Sequence, residues 1–360
     1  MEFTAGGRLE VRISGDDVGK RVSVRRVSED GSAGRKFTDT VGVLTSWDAG
    51  VLLITRRNGE RVAVEESALV AGKVVPAEPA RRRGPSATYP ELARIASRAW
   101  QPLESERLGE WELRAAYQQE PGEASRRGAV VGRREGFTRR ANSLLPVGDP
   151  GVPLDDALDH VRRWYADRGL PAYAQTATGA EGAQELLCAE LEARGWVREV
   201  TAELRIAALA PIGDLPDPDV EVVLERRPRE AWLARYQRKG TSEVALKVLC
   251  AGPSVWFASV PGEDGVPAAI GRCVVDGRWA GFAAVEVDPA QRRRGLATKV
   301  MTALARRALD EGASAAWLQV EADNEGARAL YDRMGFATHH AYHHYRAPEA
   351  APTGPANRSA

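Results

Sequence analysis

The chain has 360 residues, a length that points to two or three domains rather than one core. Its 50 basic and 50 acidic residues cancel, which argues against a generic affinity for nucleic acid or anionic lipid while leaving room for a local patch. Three cysteines, Cys188, Cys250 and Cys273, are widely spaced, odd in number and without a C-x-x-C pair, so neither a disulfide framework nor a thiolate zinc site is suggested, and no run of about 18 apolar residues offers a membrane span. The start, "MEFTAGGRLEVRISGDD", lacks the apolar stretch of a signal peptide, so a soluble cytoplasmic protein is expected.

Residues 1–75 read as short β-type runs separated by turn residues: "RVSVRRV", "TVGVLTSW", "VLLITRR" and "RVAVEES". Between the last two, Arg57 to Glu60 ("RNGE") offers an Asn-Gly hairpin turn. About five short strands in this length fit a small antiparallel barrel, and the pattern resembles the SH3-like barrels. Its outward arginines read as a solvated surface, so nucleic acid is not an expected partner. Residues 76–95 read as a linker, because "PAEPARRRGPSATYPE" (Pro76 to Glu91) replaces periodicity with Pro, Ala and Arg. Residues 347–360, poor in large apolar side chains, read as a disordered tail.

Between linker and tail, helix and strand patterns alternate and two halves echo each other. In residues 96–210, Leu154 to Pro171 is an amphipathic helix ended by Gly169, and Gly182 to Ile206 is a helix closed by Gly195 that turns into a strand. In residues 218–346, Asn324 to Arg346 repeats that plan of helix, glycine stop, aromatic and strand. Aligning Gly195-Trp196 with Gly335-Phe336 puts Leu191 opposite Tyr331, so the first half lacks the polar group of the second.

"WAGFAAVEV" (Trp279 to Val287) reads as a buried strand and "DPAQRRRG" as a turn. "LATKVMTALARRAL" follows as a helix with Leu296, Val300, Leu304 and Ala308 on one stripe. Gly295 and Ala297 fall where the helix begins and let a ligand approach the backbone. The amide N–H groups of a first helical turn have no partners inside the helix and carry the positive end of its dipole, so a pyrophosphate can lie against them. Arg292, Arg293 and Arg294 add charge at the same turn.

The arrangement Arg292-x-x-Gly295-x-Ala297, after a strand and opening a helix, resembles the acetyl-CoA signature of the GCN5-related N-acetyltransferases (GNAT family). A second signature of that family follows in "WLQVEADNEGARALYDRMGF", Trp317 to Phe336. The resemblance covers Val220 to Arg346 well and Trp100 to Arg205 loosely. In that first half Asp149, Asp155 and Asp156 stand where a pyrophosphate would bind and would repel it. The fold class implied is α+β: a GNAT fold, with a mixed, mostly antiparallel sheet flanked by helices. It is expected in tandem with a degenerate N-terminal half and preceded by the small barrel.

The resemblance implies that acetyl-CoA is the co-substrate. Backbone groups of Val285 and Val287 are expected on the pantetheine arm, and Arg292, Arg293, Arg294, Gly295, Leu296, Ala297 and Thr298 around the pyrophosphate. Asn324 is expected to hydrogen-bond the cofactor, with a helix-cap role compatible. Tyr331 is expected beside the thioester sulfur, as proton donor to the leaving thiolate. For the base that takes the amine's proton, Glu286 faces opposite to Val285 and Val287 and is the first candidate. Glu321 is the second, two residues beyond Gln319 on the same face.

On a regular strand His339 and His343 share one face and His340 and His344 the other, so they do not converge and no metal is expected. They read mainly as a surface strand, with a base or acceptor-site role for one of them left open. The acceptor expected is a small amine or amino acid. Chains with a small barrel before such an acetyltransferase resemble an actinobacterial group, some of whose members are labelled N-acetylglutamate synthases. Glutamate would need cations such as Arg139, Arg140, Arg226 or Arg272. The alternatives are a protein or peptide acceptor docked by the barrel, and a non-catalytic acetyl-CoA sensor.

Overall fold

A computed structural model of the chain describes residues 10–27, 37–76, 84–118, 134, 136–216, 220–236, 242–262 and 265–349. The tail expected over residues 347–360 lies, beyond residue 349, outside the described residues. The N-terminal strands are β1 (Arg21–Val27), β2 (Phe37–Asp48), β3 (Val51–Thr55), β4 (Arg61–Glu65) and β5 (Leu69–Val74). They form an antiparallel sheet in the order β4-β3-β2-β1-β5. Burial alternates residue by residue along β4, and Val62 and Val64 join Val22, Val24, Leu44, Leu52 and Ile54 in one small core. Among the described residues the edge strands β4 and β5 share no backbone pairing, so a five-stranded antiparallel sheet, not closed into a ring, stands where a small SH3-like barrel was expected.

Helix α1 (Tyr89–Ala99) begins inside the stretch read as linker. Thr88 caps it, its Oγ1 accepting from the Glu91 N–H at 3.3 Å, and Leu92, Ala93, Ile95, Ala96 and Ala99 make a buried face. Next come the hairpin β6 (Glu104–Leu108) and β7 (Trp111–Ala115), then α2 (Leu154–Ala166), β8 (Tyr173–Thr178), α3 (Glu185–Ala193) and β9 (Val197–Ala208). The turn α4 (Ala210–Gly213) leads to β10 (Val223–Glu225), α5 (Glu230–Arg235), α6 (Glu243–Cys250), β11 (Ser254–Val260), β12 (Ala269–Asp276) and β13 (Trp279–Val287). The last elements are α7 (Leu296–Asp310), β14 (Ala315–Glu321), α8 (Glu325–Arg333) and β15 (Ala337–Arg346).

One eight-stranded sheet runs β10-β11-β12-β13-β14-β9-β15-β8. Strands β13 and β14 pair in parallel and the other neighbours antiparallel. Strand β9 of the first half lies between β14 and β15 of the second, and β15 lies between β9 and β8, so the halves are interleaved. Side chains of α1, α5 and α6 pack on one face of the sheet, those of α4 and α7 on the other, and a third cluster lies under α2 and α3.

The five-stranded sheet docks through its β3–β4 turn. The Arg57 guanidinium donates to the carbonyls of Thr338 at 2.8 Å and His339 at 3.1 Å. Arg198 donates to the Gly59 carbonyl at 2.6 Å, and Arg61 pairs with Glu192 at 2.5 Å. The histidines expected on a surface strand are instead on a central strand and buried: the Tyr89 ring of α1 stands edge-on to His340, and the β3–β4 turn at Gly59 lies against the His343 ring. The register of β15 slips between Thr338 and His340, which brings Nδ1 of His339 to 2.8 Å from Nδ1 of His340. No group of three or more metal-ligating side chains forms among the described residues. Among them, too, no helix is long and apolar enough to cross a membrane, and all three cysteines are free thiols.

Candidate active site

Strands β13 and β14 pair from Trp279↔Ala315 to Phe282↔Leu318 and no further, so their C-terminal ends splay apart. Two features hold the gap. The strands meet closely at their paired end, where a Cβ on Gly281 would lie 2.3 Å from the Trp317 ring. Past it, Ala284 and Val285 together oppose the single residue Gly271 of β12, a bulge in which Ala284 adopts φ 51°. Gly271 lets α7 approach, since a Cβ there would come within 2.5 Å of Val300. On β14, beside the gap, Gln319 carries a buried Oε1 with no hydrogen-bond partner.

The bulge sorts the side chains of β13 onto two faces. Val285 and Val287 pack with Leu330 and Tyr331 in the cluster that contains α7. Glu286 pairs laterally with Ile270, which belongs to the cluster of α1, α5 and α6. Glu321 is exposed at the end of β14, and the partner residue that it shares with Tyr342 is Ala202 of β9. Glu286 and Glu321 therefore face the side opposite to Tyr331.

The turn into α7 is built around Asp288, whose Oδ1 accepts the Ala290 N–H at 2.8 Å and whose Oδ2 pairs with Arg235 at 2.5 Å. Those two partners hold its carboxyl below the usual carboxylate range. Arg293 adopts φ 63° and Gly295 φ 75°, turning the chain sharply before Leu296. Gly295 is the N-cap and offers no side-chain acceptor, and a Cβ there would meet no atom within 4 Å. The first N–H groups of α7 thus open onto free space, flanked by the exposed side chains of Arg292, Arg293 and Arg294. Of these, Arg294 is hydrogen-bonded to Gln291. Ala297 and Thr298 are partly buried in the first turn and Leu296 anchors it in the core.

Asn324 caps α8, its Oδ1 accepting the Ala327 N–H at 3.1 Å. Two turns on, the Tyr331 ring packs edge-on to Phe336 with centroids 5.9 Å apart. Burial pushes its phenol up to about 12, Arg205 opposing. Its hydroxyl bonds to none of the described residues, and the phenol remains a protonated donor at neutral pH.

Sequence reasoning missed Ala284, because alanine gives no hint of a positive φ. It also left four arginines undistinguished as cations for an acceptor carboxylate. Arg272 is removed from that role: fully buried, it donates to the carbonyls of Leu249 at 2.7 Å, Ala251 at 2.9 Å and Ala99 at 2.9 Å, and so closes the ends of α6 and α1. Arg226 lies over the Trp256 ring on the α7 side and pairs with Glu311 at 3.2 Å. Arg139 pairs with Glu199 at 3.2 Å. Arg140, on the side of Glu286, has no ion-pair partner among the described residues.

The first half has a reduced counterpart of the splay, in which Leu144 and Ala174 form an isolated parallel bridge. There the Gln184 side chain spans the gap, donating to the Pro146 carbonyl and accepting from the Ala177 N–H at 3.2 Å and the Tyr89 hydroxyl at 2.5 Å. A cleft of about 350 Å³ remains beside it, lined by Tyr89, Trp111, Val147 and Leu187.

A splayed parallel strand pair beside an open, glycine-capped helix start defines the class: an acetyltransferase of GCN5-related fold. A family model described as "Probable histone acetyltransferase Rv0428c C-terminal" matches residues 90–345, and the chain belongs to that family of N-acetyltransferases. The "Uncharacterized N-acetyltransferase YobR" of Bacillus subtilis is 23% identical over 267 residues, 71% of this chain and 97% of that protein. A "[Ribosomal protein bS18]-alanine N-acetyltransferase" of Haemophilus ducreyi is 44% identical over 50 residues, 14% of this chain and 34% of that protein. The solved structure of a GCN5-related N-acetyltransferase from Kribbella flavida shares the fold, with a TM-score of 0.51 at 19% identity over 74% of this chain and 98% of that one.

Proposed function

We propose that the chain transfers the acetyl group of acetyl-CoA directly to a primary amine at the gap between β13 and β14, with no covalent enzyme intermediate. The observation that supports this reading is the bulge in β13, which turns Val285 and Val287 to the side of Tyr331 and Glu286 to the other. Three features fit acetyl-CoA: the open helix start at Gly295, the unpaired strand ends past Phe282, and the orphaned Gln319 Oε1. Leu296 to Thr298 would receive the pyrophosphate on backbone N–H groups, Arg292 to Arg294 would pair with it, and Val285 and Val287 would hold the pantetheine as an added strand. Asn324 caps α8 and keeps its amide nitrogen for the cofactor.

Acetyl-CoA supplies an activated thioester. Backbone groups freed at the bulge polarise its carbonyl oxygen. Glu286 takes the proton that the attacking amine loses, directly or through water, and Glu321 stands second for that task. As the C–N bond forms and the C–S bond breaks, the Tyr331 hydroxyl gives its proton to the departing sulfur.

For the acceptor we favour a small amine or amino acid, with the α-amino group of glutamate, the first step toward arginine, as the leading candidate. A protein acceptor is the second reading, favoured by the histone acetyltransferase in the family's description, with the N-terminal sheet, taken as an SH3-like barrel, docking it. A non-catalytic sensor would have no use for a donor placed like Tyr331.

Release of free thiol from acetyl-CoA, measured across amino acids, polyamines and peptides, tests the reading. Tyr331→Phe is expected to lower kcat by about 10- to 100-fold while the KM for acetyl-CoA stays within about twofold. Full activity in this variant would remove Tyr331 from the chemistry.

A further inference from the structure

We propose that the acceptor carries a carboxylate next to its amine and that Arg140 binds that carboxylate, a specificity determinant that rests on the acetyl transfer proposed above. Its position comes from the register of the sheet. Tyr342 of β15 and Glu321 of β14 both pair with Ala202 of β9, so one row of side chains crosses the sheet on the face of Glu286. The Arg140 guanidinium is fixed above that row: Nη2 donates to the Tyr342 hydroxyl at 3.3 Å, and Cζ lies 5.4 Å from the centre of the Trp100 ring.

Part of the binding capacity of Arg140 is unspent. Its Nε is buried with no hydrogen-bond partner, and among the described residues no carboxylate lies within ion-pair distance of it. Arg139 beside it already has Glu199. A second observation points the same way. His344 is 3% exposed, both of its ring nitrogens lack partners, and its ring stands edge-on to Tyr342 at 5.7 Å. Burial, with the guanidinium charges of Arg140, Arg139 and Arg114, keeps this ring from taking a proton.

A buried cation whose acidic neighbour, Glu321, attracts it only from beyond ion-pair distance is costly, and an incoming anion relieves that cost. The guanidinium is a planar fork whose geometry matches a carboxylate in two parallel bonds. With the carboxylate on Arg140, the amine of the same molecule would lie on the face of the sheet that carries Glu321 and Glu286. A basic, lysine-rich acceptor would bring like charge to this face.

The experiment compares matched acceptors, each amino acid against its own α-carboxamide, in thiol release by the full-length protein, with rates corrected for the unprotonated fraction of each amine. The wild type is expected to show a KM about 10-fold or more lower for the carboxylate member. Arg140→Gln is expected to bring the two KM values within about twofold of each other, and Arg140→Lys to keep part of the difference. The Kd of acetyl-CoA, measured in each variant, reports whether the fold is intact. Equal KM values for the two members in the wild type, or a preference that survives in Arg140→Gln, overturns the inference while acetyl transfer stands. Binding of acetyl-CoA without thiol release from any amine overturns the acetyl-transfer reading as well.

Discussion

Backbone strain marks two points on the proposed cofactor path. Among the described residues four non-glycine positions have positive φ, and two of them, Ala284 and Arg293, lie at the strand gap and at the turn into α7. Each costs on the order of 1 kcal/mol, which a chain tolerates where the conformation serves a purpose. Gly295, just past Arg293, is separable by mutation. It adopts φ 75°, yet a Cβ there would touch nothing in the protein. Gly295→Ala should therefore cost the fold only about 1 kcal/mol of strain, a few degrees in Tm. The added methyl would stand against the pyrophosphate, so the KM for acetyl-CoA should rise about 10-fold or more. Steady-state kinetics with thermal unfolding of the same variant checks both, and an unchanged KM would move the pyrophosphate away from this turn.

At the scale of elements, β15 carries an unusual load, since a central strand holds three buried histidines. His343 accepts or donates at 3.0 Å to Thr201 and to Thr178, and burial lowers its pKa to about 3. His340 and His344 are held well below the ordinary value by burial too. Below about pH 6.5 the unfolded chain takes protons on these rings and the folded chain does not, so stability is lost as the pH falls, by about 1.4 kcal/mol per pH unit for each ring. Acidic side chains paired in the fold, such as Asp39 and Asp288, have lowered values and act at lower pH. The urea midpoint should drop steeply from pH 7.5 to 5.5, and His343→Gln should remove about a third of that slope. A midpoint flat across this window would show that the rings take up protons without unfolding. A strand with two His-His pairs reads as polar, and its burial was not legible, because strand periodicity reports which residues share a face and not what covers it. The turn at Arg292 to Ala297 and the helix from Asn324 were legible for the opposite reason. Their geometry is local, set by one glycine, one cap and a helical stripe within a few residues.

For the whole molecule, the order of strands was the part that sequence could not supply. The repeat between Gly195-Trp196 and Gly335-Phe336 marks two similar halves, yet nothing local says that β9 of the first sits between β14 and β15 of the second. Arg140 was one cation among four for the same reason, since its neighbours Trp100 and Tyr342 come from distant parts of the chain. The interleaving has a mechanical consequence. Residues 218–349 alone would expose the β14 edge and both edges of β15, with Trp317, Leu318 and Val320 beside them, a surface that aggregates. That fragment should be insoluble by itself and should become soluble when co-expressed with residues 84–216, which bring β9 and β8. The restored complex should bind one equivalent of acetyl-CoA by calorimetry, because Gln184 spans the corresponding gap of the first half. A soluble, cooperatively unfolding 218–349 fragment would mean that the second half closes its own sheet, and two equivalents of acetyl-CoA would mean that Gln184 yields its place to a ligand.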